Sequence, residues 1–520
     1  MAGYSAVGLL LGGYMLKYAD ARELDLGFIF MIQPLTIFLR PLICARADRY
    51  RSHKSMLAWF LLGTSISYLP FIIIPYVIDK PDSVLSEILG PRLRFWILVL
   101  GHLLGSVCFC GIRSLGDATA VNYAKRTGSD YTNYRKYGSI SFGICGYLLG
   151  QINQDWLMPD FVPSFLVYCA SMSLEGLLVY LWPDEYFYMV SGKDDVQCQL
   201  RPIPVGKDVL YHMNAKFWRT ITCRSMSKNN LAGRRPELAT AVIPKVKVTN
   251  ADGEDLQQHL QKPLSVKTQA RIFLLLVKYD YRISAYLMIL LYGGLVGYAP
   301  PNFVFTHMDK VCHEKGTCNG AALAGLVMMT YCIVETICYI VLDTLRHKLT
   351  NRVLLLEITL LSLTIHYNFY GHVLEHVSPY FFLVESLHGL EYSISLSTCM
   401  EFGYMFANQV SLLMPELLRR GIISKDDDHD LVKVSLMATM SGCFTLVYDG
   451  FGTIIGSLAI GLMVGAYSFT AAWVMVGALA TIGFVFIILA ALFIRYAGIR
   501  PAIEKFQEEK QKLESGIESV

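Results

Sequence analysis

The chain has 520 residues, of which 54% are hydrophobic and only 17% are charged. Soluble domains carry about 25% charged residues, so this composition excludes a soluble enzyme or binding domain and indicates a protein that crosses a membrane several times. The net charge of +3 is too small to indicate a polyanionic partner, and we expect no nucleic acid.

Two sets of apolar stretches follow one another along the chain. A membrane-crossing helix needs about 20 mostly apolar residues. Such runs fall near 2–18, 25–45, 55–78, 93–116, 138–156 and 161–182, and again near 282–305, 320–343, 353–369, 377–408, 432–463 and 467–495. The pattern predicts an all-α integral membrane protein with 12 transmembrane helices.

The polar stretches between and after these runs set the predicted domains. We predict an N-terminal six-helix bundle over 1–182, a mostly mobile cytoplasmic linker over 183–275, a C-terminal six-helix bundle over 276–496 and a charged cytoplasmic tail over 497–520. The first run is at the lower length limit for crossing, so we expect either an N-terminally shortened form or a tilted neighbouring helix that compensates.

The distribution of Lys and Arg predicts the orientation. The loops after predicted spans two, four, eight and ten hold 15 of these residues, whereas the loops after spans one, three and seven hold 7. Because basic residues favour the cytoplasmic side, we expect both termini in the cytoplasm. We also expect the protein in the plasma membrane rather than in an intracellular membrane.

The turn "ARADRYRSHK" (45–54) between predicted spans two and three combines an acid with cations. It resembles the signature Gly-x-x-x-Asp-Arg/Lys-x-Gly-Arg/Lys-Arg/Lys of the major facilitator superfamily at Asp48, Arg49 and Lys54. Cys44 and Arg51 replace the two glycines. The alternative is that these cations only satisfy the orientation bias.

Four further stretches resemble the lactose-permease-like "MFS-associated" branch of that superfamily. They are "GDATA" (116–120), "YTNYRKYGSISFG" (131–143, with Arg135), "VESLHGLEYS" (384–393) and "YDGFGTIIGSLAIGLMVG" (448–465). The resemblance implies the major facilitator superfamily fold, with two six-helix bundles around a central cavity and alternating access. It also implies a cytoplasmic gating motif formed by Asp48, Arg49, Lys54 and Arg135.

Ionisable residues inside predicted spans are candidates for proton coupling or for the cavity, because charge in the membrane is costly. Predicted span ten is the richest, with three such residues at steps of three that share about a 120° arc of a helix. A His between two carboxylates carries charge near neutral pH, which suits a proton-coupled carrier. A buried cluster that only locks the helices is the alternative. The full set of candidates is Glu385, His388, Glu391, Glu335, Asp117 and Arg113.

Pairing and terminal motifs give weaker expectations. Arg113 and Asp117 lie one helical turn apart and are expected to neutralise each other, and the glycine-rich run after Asp449 is expected to serve packing.

Cys312 and Cys318 share a polar loop, where a disulfide forms if the loop is extracytoplasmic. No metal-ligand spacing appears, and we expect no cofactor. The C-terminal residues 518–520 permit a weak PDZ-type contact.

The leading hypothesis is a secondary active transporter, a symporter that moves a small polar solute together with protons through the bilayer. The alternative is a transporter-shaped receptor or accessory membrane protein that binds a ligand or partner without transport. An enzyme is not expected, because no His-box, nucleophile elbow or paired catalytic carboxylates appear outside the packed spans.

Overall fold

A computed structural model describes most of the membrane-associated chain. The described residues are 4–50, 52–78, 89–127, 131–152, 159–182, 266–315, 320–345, 352–373, 380–423, 440 and 443–497. Helices account for nearly all of them, and no strand occurs in these ranges. The all-α prediction is confirmed.

The described residues of the first half of the chain form six helical units, which we number as spans one to six. Their bounds are Tyr4–Tyr18 (one); Glu23–Thr36, Ile37–Leu39 and Arg40–Tyr50 (two); His53–Ser67 and Leu69–Ile78 (three); Pro91–Thr127 (four); Tyr131–Ile152 (five); and Val162–Leu181 (six). Span two changes to a short 3₁₀ turn just after Pro34, where the proline ring removes one backbone donor.

The second half forms spans seven to twelve. Their bounds are Tyr281–Gly293, Gly294–Tyr298 and Pro301–Lys315 (seven); Gly320–Leu345 (eight); Arg352–Val373 (nine); Tyr380–Arg419 (ten); Leu446–Gly452 and Thr453–Ala466 (eleven); and Phe469–Tyr496 (twelve). Among the described residues, seven helices are long and apolar enough to cross a membrane, in spans three, four, six, seven, eight, eleven and twelve.

An additional helix, Val266–Tyr279, precedes span seven. Its residues Ile272 and Leu276 are fully buried, and they belong to a core cluster shared with Phe406 and Val410 of span ten. The sequence analysis assigned 266–275 to the mobile linker. That assignment is wrong, because the frequent Lys and Arg of this stretch conceal an apolar face that packs on span ten.

The two bundles contact each other through glycines at one end of the molecule. Spans two and eight begin at this end, which we call the opposite end. The other end, near Tyr50, Thr127 and Arg419, is called the basic end. At the opposite end, a Cβ added at Gly461 of span eleven would lie 2.5 Å from the Cα of Gly27 in span two. Such small residues let helices approach closely.

Spans seven and eleven each contain a π-helical segment, at Gly294–Tyr298 and Leu446–Gly452. The two segments contact each other within the C-terminal bundle. A Cβ added at Gly294 would lie only 2.1 Å from the backbone oxygen of Tyr448, so this crossing requires glycine.

Gly294→Ala should therefore destabilise the protein by about 1–3 kcal/mol, the usual cost of inserting a methyl group into a packed contact. Gly116→Ala is the matched control, since a Cβ at Gly116 of span four meets nothing within 4 Å. It should leave stability unchanged or raise it by up to about 1 kcal/mol, because alanine favours helix over glycine. Thermal unfolding in detergent measures both, and equal melting temperatures for the two variants would contradict the close approach.

Candidate functional site

Glu391 of span ten lies in the centre of a buried polar cluster between spans nine and ten. One of its carboxylate oxygens accepts a hydrogen bond from the Ser362 hydroxyl at 3.1 Å. The other lies 3.2 Å from His366 Nδ1 and 3.9 Å from His388 Nδ1. Glu391 and His366 are 3% and 1% exposed, so the cluster is shielded from water.

Helical spacing on the two spans brings these four side chains together. His388 and Glu391 are three residues apart on span ten, and Ser362 and His366 are four apart on span nine. Residues at these separations lie on one face of a helix. The two pairs face each other where the spans pack, and spans nine and ten are in extensive contact.

Aromatic rings surround the histidines. His366 stacks on Tyr367, with ring centroids 4.4 Å apart, and lies 4.6 Å from Tyr370. His388 meets the ring of Tyr331 from span eight edge-on at 5.2 Å. These rings keep the local dielectric low, which strengthens every charged interaction in the cluster.

Glu385 is not one of the hydrogen-bonded groups of this cluster, although its carboxyl group is close enough to interact electrostatically with Glu391. It is 4% exposed, and the part of the chain that the structure describes gives its carboxyl group no hydrogen bond or ion pair. The prediction that His388 lies between Glu385 and Glu391 is therefore wrong for Glu385, since His388 contacts only Glu391 of the two. Two steps of three residues spread the three side chains over about 120°, and of the two carboxyl groups the structure gives only that of Glu391 a contact with His388.

A second charged site joins the two bundles near the basic end. Arg113 of span four lies 3.1 Å from a carboxylate oxygen of Asp449 in span eleven. Their side chains are 14% and 5% exposed. Asp449 belongs to the π-helical segment of span eleven. Asp117, the predicted partner of Arg113, is half-buried on the next turn of span four.

The bundles also touch around this ion pair. The rings of Phe38 and Phe451 lie edge to face with centroids 5.0 Å apart, joining spans two and eleven. At the opposite end, Lys310 of span seven pairs with Glu23 of span two at 2.5 Å. The bundles are therefore in contact at both ends.

Comparison with known proteins identifies this architecture. The sequence model of the MFS_1 like family matches residues 3–411. The chain belongs to the MFS_1 like family.

Solved structures show the same fold at low sequence identity. The nucleoside transporter NupG is 13% identical, with 94% of this chain and 95% of that chain covered and a TM-score of 0.54. The inward-open xylose transporter XylE from E. coli is 11% identical, with 94% and 92% covered and a TM-score of 0.53. A peptide transporter POT variant is 12% identical, with 95% and 92% covered and a TM-score of 0.53. No curated protein matches the chain by sequence.

The gating motif expected for an MFS_1 like protein is only partly visible. Asp48, Arg49 and Arg135 lie on helices, but their side chains are outside the described residues. Lys54 at the start of span three lies over the ring of Tyr180 in span six, 6.0 Å from its centroid. The role of this motif stays a prediction.

The remaining predicted residues have mixed outcomes. Glu335 of span eight is buried, with 4% exposure. Gly389 of span ten packs directly on the backbone of span eight at Tyr331.

Cys312 is disulfide-bonded. Cys318 lies outside the described residues, so its pairing with Cys312 stays a prediction, as does the C-terminal PDZ-type contact.

Sequence reasoning missed His366 and misjudged Asp449. His366 is an ionisable residue inside a predicted span, and that signal alone marks a candidate. The glycine-rich run after Asp449 is predicted to serve packing, and the sequence reveals no partner for Asp449 itself. The π-helical segment that places it opposite Arg113 follows no motif recognised in the sequence.

The donor set around Glu391 could also hold a metal ion. One ligand atom from each of His366, His388 and Glu391 can be chosen so that all three lie within 4.8 Å of one another. Imidazole and carboxylate are ligands that Zn²⁺ accepts.

Removing one partner of the Arg113–Asp449 pair should destabilise the protein more than removing both charges. Arg113→Gln leaves the buried Asp449 carboxylate without this cation, and Asp449→Asn removes the same ion pair from Arg113, at a cost of up to about 3–5 kcal/mol. The double variant removes that penalty. Thermal unfolding of the four proteins in detergent forms a double-mutant cycle, and purely additive effects would show that the two groups do not interact.

Proposed function

We propose that the protein is a secondary active transporter that carries a small polar solute by alternating access and couples it to protons. Membership of the MFS_1 like family and the shared fold of three transporters support this. The observation that carries the proposal is the pair of inter-bundle contacts, Arg113–Asp449 near one end and Glu23–Lys310 at the other. Rocking of two bundles requires contacts of this kind to form and break in turn.

The contacts suit this role because each is small and localised. An ion pair and a ring contact can separate when the bundles rock, and water entering the gap then solvates the exposed charges. The glycine contact between Gly27 and Gly461 lies at the opposite end, so opening of the basic end can proceed about that contact.

We assign the basic end to the cytoplasm, because the loops there carry most of the Lys and Arg. Both termini are then cytoplasmic, and the plasma membrane is the proposed location. Within the superfamily, the four motifs of the sequence analysis favour the lactose-permease-like branch and, in it, the animal orphan transporters called major facilitator superfamily domain-containing protein six.

Glu385 is the proposed carrier of the coupling proton. A buried carboxylate without a cation is costly in a membrane, whereas the protonated carboxyl group is neutral. The group therefore favours taking up a proton whenever the bundles close around it. Release into water on the other side of the membrane completes the coupling.

Transport is tested with purified protein in liposomes. The solutes are radiolabelled nucleosides, xylose and dipeptides, supplied with and without an inward proton gradient. A transporter should accumulate at least one of these compounds above its outside concentration only when the gradient is present. Saturable binding of a compound in detergent without any uptake would instead support a receptor.

Glu385→Gln should abolish accumulation of the solute identified above while leaving solute exchange largely intact. Exchange of labelled for unlabelled solute needs no release of the proton, whereas net accumulation does. Glu357→Gln is the matched control, since Glu357 of span nine is exposed, and it should behave as wild type. Equal losses of accumulation and exchange in Glu385→Gln would contradict proton coupling at this residue.

A further inference from the structure

We propose that His366, His388 and Glu391 form a binding site for one divalent transition-metal ion of the zinc type between spans nine and ten. The sequence analysis expected no metal, because no local ligand spacing appears in the chain. The three ligands instead come from two helices that pack side by side. The site does not include Glu385, and it stands independently of the proposed proton coupling.

The ligand spacing is close to that of an occupied site. Zinc–nitrogen and zinc–oxygen bonds of about 2.0–2.2 Å in a tetrahedral site place neighbouring ligand atoms about 3.3 Å apart. In the cluster, Glu391 Oε2 lies 3.2 Å from His366 Nδ1 and 3.9 Å from His388 Nδ1. All three ligand atoms fit within 4.8 Å, so an ion requires only small side-chain movements.

Unsatisfied nitrogen atoms point to a missing partner. His388 Nδ1 and His366 Nε2 are buried and have no hydrogen-bond partner. Buried polar groups in native proteins are nearly always paired. An ion bound at His388 Nδ1 would satisfy that nitrogen and would replace the long 3.9 Å contact with two short bonds.

The surroundings have the features of a metal site. Ser362 holds the second oxygen of Glu391, and such supporting hydrogen bonds orient ligands and raise metal affinity. Two imidazoles and one carboxylate favour zinc, copper or nickel, whereas calcium and magnesium prefer six or more oxygen ligands. Three protein ligands leave a fourth position open for water or a solute group.

His388 is the least buried member of the cluster, with a side chain that is 14% exposed against 4% for Glu391. Its Nδ1 atom is buried, so loading of an ion requires side-chain movement at the His388 edge. A bound ion would tie span nine to span ten, which should raise the thermal stability of the protein.

The test measures zinc directly in full-length protein purified in detergent through a tag without histidines. The protein is stripped with a chelator and dialysed against zinc sulfate, and the metal content is measured by mass spectrometry. We expect one zinc ion per chain, a higher melting temperature with zinc, and an X-ray absorption spectrum of nitrogen and oxygen ligands without sulfur.

Variants decide whether these residues hold the ion. His366→Ala and Glu391→Gln should lose the bound zinc and the zinc-dependent rise in melting temperature, and Ser362→Ala should weaken binding about 10–100-fold, as supporting groups do. His313→Ala is the control, because His313 is exposed at the end of span seven, and it should bind zinc as wild type. Glu385→Gln should also keep the ion, which separates this site from proton coupling.

Wild-type protein that retains no zinc, or variants that bind it as well as wild type, would overturn the proposal. Glu391→Gln is nearly isosteric and serves if His366→Ala fails to fold. If both are unstable, zinc-dependent stabilisation of wild type, together with its shift to about 10–100-fold higher zinc concentration in Ser362→Ala, decides the question. Zinc stabilisation that Ser362→Ala leaves unchanged counts against the site.

Discussion

The cost of leaving charge unpaired inside a membrane constrains the buried acids and bases of this protein. Arg113 forms an ion pair with Asp449 across the bundle interface. Glu391 contacts Ser362 and two histidines within the C-terminal bundle. Asp280 is fully buried and holds Arg282 through two short bonds where span seven begins. Each pairing fixes two helices or a helix end, so the charges also determine the packing.

These sites differ in what they connect. The Arg113–Asp449 pair joins the two bundles, so its formation depends on their relative position. The Glu391 cluster joins two neighbouring spans of one bundle, so its formation does not depend on the relative position of the two bundles. Under the proposed alternating access, the Arg113–Asp449 pair forms in only some positions of the bundles. The Glu391 cluster can hold its proposed metal ion in all of them. Glycine contacts, such as Gly27 on Gly461, bring the helices close enough for both.

The sequence predicts the helical architecture well because the membrane imposes a simple rule. A span of about 20 apolar residues is visible in composition alone, and helices occur at each predicted run. Interruptions are harder to predict. Pro34 signals the 3₁₀ turn in span two, but the π-helical segments in spans seven and eleven follow from packing between Gly294 and Tyr448, which no local pattern reveals.

Partners of charged residues are predicted least well. Spacing along one helix suggested His388 between two glutamates and did not reveal that Arg113 meets Asp449, because only local separations are visible in a single sequence. The structure supplies Asp449 and His366 from other spans. The helix Val266–Tyr279 shows the same limit, since its apolar face is recognisable only once span ten is beside it.

Cross-linking the basic end tests alternating access most directly. Phe38→Cys and Phe451→Cys, at rings 5.0 Å apart and both partly exposed, are joined by a short reversible bifunctional thiol reagent in liposomes. The single-cysteine variants and wild type, with their native cysteines, are treated in parallel. The account predicts that the linked double variant loses solute exchange and that dithiothreitol restores it. Exchange at the untreated rate in fully linked protein would show that the bundles do not separate at this end.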